Sequence, residues 1–85
     1  MKKQQPTIEG MPFNQWLRHS RGMSGLSMAG LAEKLDVSLN TIKNYENGDS
    51  IPPSRGEIKF LEDIVDEVRI IASKAAIDYA ERNLR

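Results

Sequence analysis

The sequence has no cysteine and a single histidine, His19. Those two absences exclude a disulfide framework, a thiolate metal site and an imidazole cluster, so packing must hold the fold and no metal or other cofactor is expected. Long apolar runs are missing too. No segment approaches the ~20 residues of a membrane span, and the start, Met1-Lys2-Lys3-Gln4-Gln5-Pro6, lacks the apolar stretch of a signal peptide. The composition suits a reducing compartment, and a cytoplasmic protein away from the membrane is expected. Net charge is also absent, with twelve Lys/Arg against twelve Asp/Glu, which argues against a generic polyanion binder. Catalytic signatures are missing as well: His19 has no nucleophile motif beside it, no glycine-rich phosphate loop appears, and the acidic residues fall on solvated helix faces. An enzyme is therefore not expected.

What is present fits one compact domain with an appended element. Residues 1–10 are polar, contain Pro6 and Gly10, and read as a flexible arm. Pro12 suits a first helical turn, and Phe13, Trp16 and Leu17 then form one apolar face before Gly22. Phe13 and Trp16 are read as core aromatics. Ser27 can cap a second helix that buries Leu31, Ala32 and Leu35. Asp36-Val37-Ser38 breaks the period: Asp36 tolerates a left-handed turn, Val37 can drop toward the core, and Ser38 can cap a third helix. That helix buries Ile42 and Tyr45 and stops at Asn47-Gly48-Asp49. Residues 11–53 thus form one helical unit.

Residues 54–85 carry the longest helical pattern. Ser54 and Glu57 have capping-box spacing, and Ile58, Leu61, Val65, Val68, Ala72, Ala75 and Tyr79 step in threes and fours. A second stripe, Ile64, Val68, Ile71 and Ala75, lies beside the first. An unbroken helix here would be about 40 Å long at 1.5 Å per residue, longer than the domain beneath it. Two apolar stripes on one such helix imply that one face covers its own domain and the other a partner. A homodimer through Leu61, Ile64, Val68, Ile71 and Ala75 follows, with two shorter helices bent near Ser73 as the competing arrangement. The charge is divided along the chain. Residues 1–55 hold seven basic against five acidic residues and residues 56–85 five against seven, giving +2 and −2. Nucleic acid would meet the first part, and Glu57, Glu62, Asp63, Asp66 and Glu67 on the last helix would repel phosphate.

A helix, a tight turn and a short second helix can set the second helix in a major groove. The string Leu17-Arg18-x-x-Arg21-x-x-x-Gly25-Leu26-Ser27-x-x-x-Leu31-Ala32-x-x-Leu35-x-Val37-Ser38-x-x-Thr41-Ile42-x-x-Tyr45-Glu46-Asn47-Gly48 resembles the phage-repressor (Cro/cI, or XRE) helix-turn-helix family over residues 13–53. The resemblance implies an all-α, lambda-repressor-like helix-turn-helix bundle, here with a long C-terminal helix. It further implies an ion pair between Arg21 and Glu46, and base contacts from Ser38, Leu39, Asn40, Lys43 and Asn44. Asparagine can pair with adenine, lysine with guanine, and an exposed leucine can meet a thymine methyl. Phosphate contacts are expected from Ser27, Lys34, Asn47 and Arg55. Three positions depart from the family pattern: Met28 stands where a phosphate-binding glutamine is usual, Gly30 where a helix former is usual, and Asp36 where the turn glycine is usual. The function that follows is a sequence-specific, double-stranded-DNA-binding regulator, a dimeric repressor on an inverted repeat. The alternative is an antitoxin-like adaptor whose acidic last helix binds another protein.

Overall fold

A computed structural model of the protein describes residues 5–52 and 61–83. Its elements are a hairpin of β1 (Thr7–Ile8) and β2 (Met11–Pro12), followed by α1 (Phe13–Met23), α2 (Met28–Leu35), α3 (Leu39–Asn47) and α4 (Leu61–Asn83). The Ser54–Glu57 capping box, Ile58 and Arg55 lie outside the described residues.

Apolar spacing explains the core. Phe13, Trp16 and Leu17 of α1, Leu31, Ala32 and Leu35 of α2, Ile42 and Tyr45 of α3, and Ile64, Val65 and Val68 of α4 are all buried in one cluster. The Phe13 ring lies between two aromatic neighbours, 6.2 Å from Trp16 and, edge-on, 5.9 Å from Tyr45. Val37 packs at the margin of this cluster, as do Met28 and Ile71.

The expected flexible arm needs correction. Residues 7–12 pair antiparallel, Thr7 opposite Pro12 and Ile8 opposite Met11. Glu9 and Gly10 turn the hairpin with φ of 50° and 85°, two successive left-handed residues of the kind a tight primed turn requires. The hairpin also answers a deficit in α1. Its N-cap is Pro12, which supplies no side-chain hydrogen bond. The Phe13 N–H instead donates to the Pro6 carbonyl at 2.8 Å, and the Asn14 N–H donates to Gln5 Oε1 at 3.0 Å. Pro12 therefore precedes α1 instead of opening it, and α1 continues through Gly22 to Met23 before Gly25 takes φ 69°.

α4 runs as one uninterrupted helix from Leu61 to Asn83, through Ser73, and not as two shorter helices. Its burial is uneven. Ile64, Val65 and Val68 are buried and Ile71 is half-buried, whereas every residue from Ala76 to Asn83 is exposed. Tyr79, expected on the buried stripe, is 69% exposed. The reason is length: α4 outruns the bundle formed by α1, α2 and α3. Ile64 and Val68, expected at a dimer interface, are instead consumed by the core of their own chain. A side chain already removed from water has no further apolar area to give a partner. Among the described residues, no helix is long and apolar enough to cross a membrane.

Candidate nucleic-acid interface

α3 is fixed at both ends by its own sequence. Ser38 caps its start, the hydroxyl accepting from the Thr41 N–H at 3.1 Å and lying 2.8 Å from Thr41 Oγ1. Gly48 ends it with φ 81°. The turn before it is made by Asp36 at φ 58°, which closes α2 in the left-handed region. Ser27 caps α2, accepting from the Gly30 N–H at 3.0 Å. Gly30 has a local purpose here. A Cβ at that position would stand 3.3 Å from Ser27 Oγ and 3.4 Å from Leu26 Cδ2, tight against the cap itself.

The fixing of α3 to α1 is ionic. Arg21 grips Glu46 with two parallel bonds, Nε to Oε2 at 2.6 Å and Nη2 to Oε1 at 3.1 Å, while Nη1 donates to the Leu26 carbonyl at 3.0 Å. Glu46 is only 4% exposed. The hydrogen bond to Glu46 raises the Arg21 pKa above its already high ordinary value, so the guanidinium stays charged at every working pH. Arg18, for which the sequence suggested no role, adds a third tie: its Nη2 donates to the Glu46 backbone carbonyl at 2.8 Å, near the C-terminal end of α3. Its position in the chain, one turn before Arg21 on the same helix face, was the available signal.

With Ile42, Tyr45 and Glu46 turned inward, α3 presents Leu39, Asn40, Lys43 and Asn47 to solvent. Leu39 is 41% exposed, so an apolar side chain stands open beside an amide and an ammonium. Asn44 is half-buried on the flank of this face. Ser38 sits at its near end with its hydroxyl engaged by Thr41. The structure thus brings the five suggested base-contacting residues together on one short helix.

The suggested phosphate contacts divide. Ser27 is exposed at the N-terminus of α2, where free helical N–H groups attract anions, and Asn47 is exposed at the end of α3. Lys34 is exposed near the end of α2, where it lines a groove with Ile70, Ile71 and Lys74 of α4. Met28, in place of a phosphate-binding amide, packs half-buried against the core.

A helix-turn-helix family model matches residues 17–66, a span that runs from α1 through α3 and into α4. The chain belongs to the XRE-type, Cro/cI-like helix-turn-helix family. Membership makes this XRE-type chain a DNA-binding regulator, of a family generally without catalytic activity. No curated protein and no solved structure matches it significantly.

Proposed function

We propose that this XRE-type protein is a transcriptional repressor that binds an inverted repeat in double-stranded DNA as a dimer. The observation that carries the reading is the outward face of α3. It offers an exposed leucine, amides and an ammonium on a helix held rigidly by the Arg21–Glu46 clamp. Asn40, Lys43 and Asn44 would hydrogen-bond base edges, Leu39 would meet a thymine methyl, and Ser38 would reach a base only at the expense of its cap. Ser27, the N–H groups behind it and Asn47 would fix the register on phosphate. Two such helices would read half-sites about 34–36 Å apart, one turn of DNA. The −4 charge of residues 61–68, from Glu62, Asp63, Asp66 and Glu67, keeps the start of α4 away from the duplex.

The test is selection of bound sequences from random duplex DNA, followed by gel shift on the selected site. An enriched inverted repeat supports the reading, and binding without sequence preference at moderate salt overturns it. On that site, Asn40→Ala or Lys43→Ala should weaken binding by about 1–3 kcal/mol while leaving the fold intact. Equal losses on all sequences would mean that these side chains touch phosphate alone.

A further inference from the structure

Two arginines share one carboxylate where α1 meets the end of α3. Both Glu46 oxygens accept from Arg21, at 2.6 and 3.1 Å, so the carboxylate is already engaged. Arg18 Nε stands 4.0 Å from Glu46 Oε1, and the Arg18 hydrogen bond goes instead to the neutral Glu46 carbonyl, from Nη2 at 2.8 Å. Two cations against one anion leave a surplus positive charge. Burial decides where it lies: the side chain of Glu46 is 5% exposed, that of Arg21 21% and that of Arg18 55%. The uncompensated charge is therefore on the Arg18 guanidinium, at the surface.

A guanidinium carries five N–H donors in a rigid fork, and one bond to a carbonyl leaves a free edge for an anion. The location identifies that anion. The Glu46 carbonyl belongs to the last turn of α3, one residue before Asn47, which is exposed on the outward stripe with Leu39, Asn40 and Lys43. Along α3, Arg18 is thus tethered about 9 Å beyond Asn40 at 1.5 Å per residue. A recognition helix enters the major groove with its first turns on the bases, so a cation at its far end faces the sugar-phosphate wall. The backbone also lacks a charged partner elsewhere along this face. Ser27 and Asn47 are neutral, and Met28 packs against the core.

We infer that Arg18 binds a DNA backbone phosphate beside the bases read by α3, while the same guanidinium holds the C-terminal end of that helix. The inference rests on the α3 face meeting the duplex, and it adds α1 to the interface. Arginine can do both because its planar fork offers one edge to the carbonyl and another to phosphate oxygens. Phosphate then docks on the group that fixes the angle of the reading helix.

The test is fluorescence anisotropy of the full chain on the selected duplex and on a random one, from about 50 to 200 mM salt. Each phosphate neutralised contributes about −0.9 to the slope of log affinity against log salt. Arg18→Gln should flatten that slope by about 0.9 per bound protomer on both duplexes and weaken binding about tenfold at low salt, with sequence preference unchanged. Arg18→Lys should restore the slope, since the charge remains. Replacing flanking phosphates one at a time by uncharged methylphosphonate should find one position whose loss weakens the wild type but not Arg18→Gln. The variants should still unfold cooperatively in urea, because the Arg18 side chain lies at the surface. A side chain that only holds α3 would alter affinity at the preferred site without altering the slope. That result, or methylphosphonate losses equal in wild type and Arg18→Gln at every position, would overturn the inference. The repressor reading fails separately: a wild type with no sequence preference would sink it, and the slope difference on random DNA would still stand.

Discussion

Glu46 is the one carboxylate buried among the described residues, and its two oxygens are both taken by Arg21. Taking charge out of water is repaid only while the pair is whole. Arg21→Ala should therefore cost about 3 kcal/mol or more in urea unfolding, whereas the double replacement Arg21→Met with Glu46→Leu should cost less than the two single changes together. Additive losses in that cycle would show that the two residues do not act as a pair. Arg18 is more exposed, and Arg18→Ala should cost about 1 kcal/mol through the lost bond to the Glu46 carbonyl. Tyr45 gives a pH prediction. Burial raises its pKa above the ordinary value of 10.0, so the unfolded chain ionises first and stability should fall as pH rises above about 10. Tyr45→Phe should remove that part of the alkaline loss, measured as the unfolding free energy on either side of pH 10. Sequence spacing exposed the Arg21–Glu46 pair only through the family pattern, because a separation of 25 positions conceals the contact; the role of Arg18 needed the folded backbone carbonyl.

At the level of elements, the helix boundaries were readable where a side chain makes them. Ser27 and Ser38 cap the helices that follow them, and Asp36 takes the left-handed turn, all for local reasons present in the chain. Aspartate in that conformation costs more than glycine, so Asp36→Gly should raise the unfolding free energy by up to about 1 kcal/mol. Asp36→Val should lower it, and a stable valine variant would contradict the turn as described. The hairpin was not readable. Its strands have two residues each, too few for alternation to show, and Glu-Gly is a weaker turn signal than Asn-Gly. What orders it is tertiary: the Pro6 carbonyl on α1, and an exposed Glu9–Arg69 contact at 3.0 Å that joins it to α4. Exposed on both sides, that ion pair is worth about 0–1 kcal/mol.

For the whole molecule, the division of α4 matters most. Its first half completes the core through Ile64, Val65 and Val68, and its second half leaves the bundle. Ending the chain after Ala72 should therefore preserve cooperative unfolding while abolishing dimerisation and the added affinity for a two-half-site DNA over a single half-site. Comparable affinity for both DNAs in the intact protein would show that no such coupling exists.

The sequence by itself determined the helix periods, the caps, the core of α1 to α3 and the polar character of the α3 face, because each is set by residues a few positions apart. Only the tertiary structure decided which of the two α4 stripes is spent inside the chain, where Lys34 stands, and that residues 7–12 form a hairpin. Those outcomes depend on how far the bundle extends under α4 and on which distant backbone groups need a partner, and neither quantity is written in local spacing.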